Sequence, residues 1–600
     1  MKTGFLNKHV LYLRSHSHFI FSFLLVLCAS LFTARTLFQQ ALPLTYDIHH
    51  HAARVANYYL ALTQGQFPPR LAPNLVSGFG SPVFIFMYPL PYILATPFFI
   101  LTNSIELSVN LVIVVSIVLA FTGAWFLGFF LTRKAFPSLI VSLLYGLSPY
   151  FLVVIFVKGA IAEALFMGIL PWVWFFLLSY KQQKQLWWQI GAFISFLFLM
   201  LSHHLSIVVV APLIFFWMIL KFHKDFLTKT RSFLLDNMRL WVVGLSSVMT
   251  SLFFWIPMIL EKGNTVIDEN KTVAGYANDF VSINKLIWST AENTMTLLGV
   301  FNEKFSLMLG IPVLVIILLG VLALLWQRKK LMKSSDLIWL IFWLFIVFSS
   351  IFLMLPQSKF LWELYKPLRY LQFPWRLLWL SVFGSSMIYL YAEKAGLWGK
   401  VSSFLVASSV LFFAGIGLLF WSRAIDSFSN GNSAWFEYPY SSTSYNELNP
   451  KWVDLLFNHR ITTPVFLRPL NKKSFESELQ IEPNTIGEAK IDLWNGTTKM
   501  YQITLPEDGD IIQRTFFYPG WEAWIDGKKV PIDYRDQEFR GRIVLHTSAG
   551  SHSVKVQWTN NVLHRHIADA LSIGGLVLFV GLLIFQMLFQ LKSKKFVKII

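Results

Sequence analysis

The chain has 600 residues, 55% hydrophobic, 17% aromatic and only 14% charged, with a mean hydropathy of +0.55. Soluble proteins average about 45–50% apolar and about 25% charged residues, so a purely water-soluble protein is excluded and an integral membrane protein is implied. The formal net charge of +18 is read as lysine and arginine held in the cytoplasmic loops of a polytopic protein, not as a nucleic-acid surface.

A helix needs about 20 apolar residues to cross the hydrocarbon. Runs at roughly 19–38, 107–131, 138–157, 164–180, 186–202, 205–221, 240–260, 304–326, 336–355, 375–392, 401–421 and 567–591 predict twelve spans. The first run lacks a small-x-small cleavage site and reads as a retained anchor. It carries Cys28, the single cysteine, which rules out an internal disulfide or a cysteine-based metal site. A further apolar stretch, 82–102, contains Pro82, Pro89, Pro91 and Pro97. Proline removes a backbone donor and breaks helix interiors, so this stretch reads as juxtamembrane or re-entrant.

Charge placement supports that choice. With 82–102 not spanning, the short basic loops, among them Arg133–Lys134, Lys181–Lys184, Arg328–Lys330 and the tail Lys592–Lys598, all fall on one side, as the positive-inside rule requires. Both termini are then expected in the cytoplasm. The predicted architecture is an α-helical polytopic domain over 1–422, with outer loops at about 39–106 and 261–303. An extracytoplasmic domain follows at 423–566, then a final helix and basic tail at 567–600. Within the outer domain, short β-rich runs are split by Tyr518-Pro-Gly-Trp521, Asp526-Gly527 and Ala549-Gly550, the punctuation of an antiparallel sandwich.

The densest polar constellation is Tyr46-Asp-Ile-His-His-His-Ala-Ala-Arg54. On a helix Asp47, His50 or His51, and Arg54 share one face, because residues three, four and seven apart stack. A carboxylate beside imidazoles and a guanidinium can activate a hydroxyl or hold a divalent cation. The three consecutive histidines lack zinc-ligand spacing; read blandly, the segment is a solvated loop. Arg70, in Gln66-Phe-Pro-Pro-Arg70, joins the same outer loop. Lys158 and Glu163 occupy the six-residue turn between two spans, His203 and His204 an outer helix end, and Arg369 and Arg376 the entrance to another span. Ionisable residues at membrane depth usually face a cavity or a partner; snorkelling to the interface is the plainer alternative for each. Their joint placement at one leaflet points to a mouth for an amphiphilic anionic substrate.

These residues also resemble a known family. Gly78-Phe-Gly-Ser-Pro82, Tyr88-Pro-Leu-Pro-Tyr92, Lys158-Gly-Ala-Ile-Ala-Glu163, Leu201-Ser-His-His204 and Leu371-Gln-Phe-Pro-Trp-Arg376 are similar to the bacterial membrane proteins labelled "6-pyruvoyl-tetrahydropterin synthase-related", of GT-C glycosyltransferase type. The label implies no pterin chemistry. Tyr518-Pro-Gly-Trp-Glu-Ala-Trp-Ile-Asp-Gly527 resembles the C-terminal module of YfhO-like membrane proteins.

The resemblance implies transfer of a hexosyl or pentosyl group from a polyprenyl-phosphate donor to a cell-envelope glycan or lipid acceptor. It places the catalytic carboxylate at Asp47, with His50 or His51 assisting and Arg54, Arg70, Lys158, Glu163, His203, His204, Arg369 and Arg376 around substrate. The family pattern leads one to expect arginine where Lys158 stands, and lysine lacks the bidentate phosphate geometry. No Asp-x-Asp pair lies in the first loop, which speaks against metal dependence; the sequence fixes no cofactor, and the candidate is a divalent metal, Mg or Mn, on Asp47. A lipid-linked glycan transporter or flippase, or a non-catalytic envelope assembly protein, are the competing classes.

Overall fold

A computed structural model describes residues 2–267, 275–289, 306–326, 336–421, 426–443, 446–453, 465–469 and 487–597. Among these, seven helices are long and apolar enough to cross a membrane: Ile105–Thr132, Ile161–Leu178, His204–His223, Met238–Asn264, Leu337–Met354, Lys400–Leu419 and Leu563–Leu588. An eighth arises if Ala135–Gly146 and Pro149–Lys158, bent by 43° against each other, count as one span. Pro149 opens the second piece, where its missing N–H ends the first helix.

Three of the twelve expected spans are helices of 16 or 17 residues. Leu186–Ser202 and Leu378–Lys394 have 17 residues each, and Ile311–Trp326 has 16. At 1.5 Å per residue, 17 residues reach about 25 Å, short of a hydrocarbon about 30 Å thick. The 375–392 run opens instead as 3₁₀ turns over Lys366–Leu371 and Pro374–Leu377. Stretch 82–102 divides into Val83–Phe86 and a 13-residue helix, Leu90–Thr102, which is also too short to cross.

Helices Ile105–Thr132 and Ile161–Leu178 form the centre of the bundle. They approach closely because Gly168 faces the Ser116 carbonyl, where a Cβ would stand 2.6 Å from the oxygen. Small residues permit such backbone contact where lipid supplies no hydrophobic drive between helices.

The C-terminal strands form two antiparallel sheets. Five strands lie in the order Glu488–Trp494, Thr498–Leu505, Gly550–Trp558, Trp521–Ile525 and Lys528–Val530. Three more lie in the order Val465–Pro469, Gly509–Phe516 and Arg542–Thr547. Lys499, Tyr501, Ile503 and Leu505 alternate inward along one strand, the period-2 pattern of a half-buried strand, and Gln513 of the other sheet donates to the Tyr501 hydroxyl. Asp526 and Gly527, at φ +52° and +76°, join paired Ile525 and Lys528, the two-residue hairpin turn that Asp-Gly favours. Lys499 is the one charge in the inward row; its ammonium lies 5.0 Å from the Trp494 ring and 5.5 Å from Trp521. Burial lowers its pKa to about 7.

The sheets dock on the bundle. Phe516 donates to the Phe79 carbonyl at 2.9 Å and the two rings stack, while Gly496 donates to Gln64 Oε1 at 2.7 Å. Below the last strand, Glu261 receives Arg565 Nε at 2.7 Å and Nη2 at 2.6 Å, with His564 at 2.8 Å. Arg565 is fully buried and Glu261 nearly so. Removing one partner of such a pair leaves an uncompensated buried charge, at a cost of about 3–5 kcal/mol. Glu261→Leu is therefore expected to destabilise the protein by that order, measured as a lowered unfolding midpoint in detergent.

Candidate functional site

Asp47 is positioned by its backbone. Tyr46 donates to the Val157 carbonyl at 3.2 Å and Asp47 to the Lys158 carbonyl at 2.8 Å, so the approach to helix Ile48–Thr63 is stapled to the end of the bent pair. Gly159 permits this contact. Its φ is +65°, and a Cβ there would overlap Thr45 Oγ1; a side chain is refused both by conformation and by space.

The result is a cavity of about 160 Å³ lined by Asp47, His50, His51 and Arg54 from the first helix and Lys158 from the turn. His203, His204, Trp375 and Arg376 come from distant helices. The expected shared face of Asp47, His50, His51 and Arg54 is thus present, and Lys158, His203, His204 and Arg376 join it. Glu163 stands one layer back. It accepts from Lys158 Nζ at 2.5 Å and from the Tyr150 hydroxyl, with Arg376 Nε at 4.0 Å.

Two expected site residues lie elsewhere. Arg70 pairs with Asp569 at 2.5 Å and donates to the Phe253 carbonyl, fastening the first loop to the last helix. Arg369 donates to the Trp362 carbonyl at 3.0 Å and lies over the Tyr276 ring. Seven residues separate it from Arg376, but the intervening 3₁₀ turns point them apart.

The two arginines on the cavity are held by neutral oxygens. Arg54, 4% exposed, donates to Tyr92 Oη and Ser442 Oγ, both at 3.2 Å, and to the Ser442 carbonyl. Arg376 donates to the Leu371 carbonyl at 2.7 Å and Gln372 Oε1 at 2.9 Å. Lys158, by contrast, is committed to Glu163. Burial raises the Asp47 carboxyl above the ordinary 3.8, opposed by the positive charges of Lys158, Arg376 and Arg54. Burial holds His50 and His51 well below 6.5, so both imidazoles are neutral, and His51 Nδ1 meets the Tyr92 hydroxyl at 3.3 Å.

The roof of the cavity was not foreseen. Residues 427–443 and 446–450 precede the sheets and return across the bundle. Glu106 anchors them, accepting from Ser429 Oγ, Asn430 N and Trp435 Nε1 at 2.7, 2.7 and 3.1 Å. This strap brings Ser442 onto Arg54 and places Thr443, Glu447 and Leu448 on the cavity. Ser442 and Gln372 have φ of +60° and +66°, strain of about 1–3 kcal/mol each that surrounding structure must enforce. Nothing in the local sequence of the strap marks it as part of the site.

Among the described residues no three His, Cys, Asp or Glu side chains converge on a cation position. The carboxylates on the cavity, Asp47 and Glu447, share it with two arginines and a lysine, a donor set that does not fit a divalent metal.

Residues 84–413 match the family described as "6-pyruvoyl-tetrahydropterin synthase related domain; membrane protein". The chain belongs to this family. The family match takes in Lys158, Glu163, His203, His204 and Arg376 and begins after Asp47 and Arg54. Two solved structures of the Archaeoglobus fulgidus oligosaccharyltransferase, one apo and one tethered by a disulfide to an acceptor peptide with the NVT sequon, are similar at 14% identity and TM-score 0.37. Each match covers 74% of this chain and 58% or 57% of that one, so the chain spans less than two thirds of that protein's length. No curated protein matches the chain.

Gly159→Ala should separate the Thr45–Asp47 backbone from Val157–Lys158. The expected outcome is a lowered unfolding midpoint together with loss of any ligand affinity of the cavity, whereas Gly399→Ala, with open space around its Cβ position, should change neither.

Proposed function

We propose that this chain is a GT-C-type membrane glycosyltransferase that moves one glycosyl group from a polyprenyl-phosphate donor to a glycan or lipid acceptor at the outer face of the membrane. The observation that carries the reading is the convergence of Asp47 with Arg54 and Arg376 on one cavity, both guanidinium groups having neutral hydrogen-bond partners. The charge opposite Arg376 is Glu163, 4.0 Å from its Nε and already engaged by Lys158, and a lipid phosphate supplies an anion that both guanidinium groups can meet with directed hydrogen bonds.

The reaction is a single inverting displacement. The acceptor oxygen forms a bond to the anomeric carbon as the bond from that carbon to the phosphate oxygen breaks. The acceptor's proton passes to Asp47, whose enclosure makes it a stronger base than an exposed aspartate. Negative charge develops on the departing phosphate, where Arg54 and Arg376 meet it with directed donors in a site of low polarity. Lys158 acts through Glu163: it takes the short contact to that carboxylate, 2.5 Å against 4.0 Å for Arg376 Nε, and leaves the Arg376 donors free of a hydrogen bond to it. His51, neutral and held by Tyr92, fixes the wall beside the carboxylate. No step is assigned to a metal.

Purified protein in liposomes, given a radiolabelled polyprenyl-phosphate sugar and a glycan acceptor, tests the reading. Covalent product is expected. Carrier crossing without product would favour a flippase, and neither would leave an assembly protein. Asp47→Asn should reduce turnover by about 10²–10⁴-fold, the range for a lost general base, while insertion and folding persist; wild-type turnover would remove Asp47 from the mechanism. Because the Asp47 pKa is raised, its basic form is lost as pH falls through a value above 3.8. The acid limb of the pH–rate profile should therefore lie above that of an ordinary aspartate and disappear in Asp47→Asn.

A further inference from the structure

At the end of the bundle opposite the cavity, lysines are gathered rather than scattered. Three helices that open beside the cavity close there. Ile161–Leu178, which carries Glu163, ends just before Lys181. His204–His223 holds Lys221 in its last turn, and Leu378–Lys394, which follows Arg376, ends on Lys394. An aromatic floor joins the three ends. Tyr180 meets Phe222 edge-on at 5.2 Å, and Lys221 Nζ lies 5.8 Å from the centre of the Trp339 ring. Trp339 in turn stacks on Tyr391 at 6.4 Å, and Lys394 Nζ lies 5.8 Å from that tyrosine ring. Lys181 and Lys394 are both close enough to Lys221 to repel it, and Asp225 and Asp336 close enough to attract it.

These charges do not cancel. Asp336 is taken by Lys394 at 2.8 Å, and Lys134 beside it is matched by Glu393 at 3.5 Å. Lys181 and Lys221 form no ion pair with a carboxylate among the described residues. A topological preference for lysine on one side of the membrane explains basic loops. It does not explain three ammonium groups brought from separate helix ends onto one floor, where each repels the others. An anion lying among them removes that repulsion.

The surroundings decide which anion. Tryptophan and tyrosine are the ring types that settle at headgroup level, as Trp339 and Tyr391 do here. The two helices that meet at Lys221 and Trp339 also expose Phe216 and Ile219, Ile338 and Ile341, and Phe216 approaches Phe342 to 5.8 Å. A soluble anion makes no use of that apolar flank. A phospholipid covers it with acyl chains while its phosphate rests on the lysines, the way basic sites between spans hold anionic headgroups.

Independently of the reaction proposed above, we infer that the seam between His204–His223 and Leu337–Met354 is a binding site for an anionic phospholipid of the leaflet opposite the cavity. Lys181, Lys221 and Lys394 hold its headgroup, and its chains lie along Phe216 and Ile341. Bound there, the lipid ties together the far ends of the helices that position Glu163, His204 and Arg376.

Full-length protein in detergent, titrated with phosphatidylglycerol or with phosphatidylcholine of the same chains, tests this by native mass spectrometry of the retained lipid. Phosphatidylglycerol should fill one site at least tenfold more tightly than phosphatidylcholine and raise the unfolding midpoint, as a ligand of the folded state does. Lys181→Gln and Lys221→Gln should each weaken phosphatidylglycerol about fivefold, and together about 30-fold. Lys400→Gln removes an exposed lysine at the same end of the bundle, outside the cluster, and should leave the affinity unchanged. A photoreactive phosphatidylglycerol should label His204–His223 or Leu337–Met354. Equal affinity for the two lipids, labelling only of other helices, or a loss in Lys400→Gln as large as in Lys221→Gln would overturn the inference. Full displacement of the lipid by millimolar inorganic phosphate would assign the lysines to a soluble anion and overturn it as well.

Discussion

Two backbone hydrogen bonds, from Tyr46 and Asp47 to the Val157 and Lys158 carbonyls, hold together pieces of chain more than a hundred residues apart. They exist because Gly159 turns in the left-handed region with no Cβ. Everything about the cavity follows from that contact. It fixes where helix Ile48–Thr63 begins, and so where Asp47, His50 and Arg54 point. It also sets Lys158 where Glu163 can neutralise it. A flexible loop would let Asp47 rotate into water, and its carboxyl would then lose both its enclosure and its cationic neighbours.

Charge is arranged in layers around this contact. The inner layer is self-contained: Lys158, Glu163 and Tyr150 satisfy one another, and Lys158 also lies 4.7 Å from the Trp375 ring. A closed pair of this kind is worth little as net stability, and its carboxylate also lies 4.0 Å from Arg376 Nε. The outer layer is open, with two guanidinium groups on neutral oxygens and one carboxyl pulled in both directions. Arg70–Asp569 and Glu261–Arg565 belong to neither layer. They tie the first loop and the Met238–Glu261 helix to the last helix, where the β-sheets re-enter the bundle.

The strap gives the sheets a connection to the site. Residues 427–443, which precede those sheets, are anchored by Glu106 and reach the cavity through Ser442 on Arg54. The sheets themselves meet the bundle at Phe79 and Gln64, beside that roof.

Local physics let the sequence alone determine the membrane class, the β-rich C-terminal region and the Asp-Gly hairpin: apolar run length, period-2 alternation and turn chemistry are short-range properties. The common face of Asp47, His50, His51 and Arg54 was legible for the same reason, since helical spacing sets it. Which distant charges would join that face was not. Arg369 and Arg376 look equivalent in sequence, yet 3₁₀ turns send one to Tyr276 and the other to the cavity. Arg70 was indistinguishable from Arg54 until Asp569, 499 residues away, claimed it. The helix of the 375–392 run starts late, at Leu378, because 3₁₀ turns precede it where hydropathy alone would continue the helix. The strap left no signal at all, because its role depends on a buried glutamate, Glu106, some 320 residues earlier in the chain. Pairings of that range are set by tertiary packing, where desolvation of each charge selects one partner among many that the sequence allows.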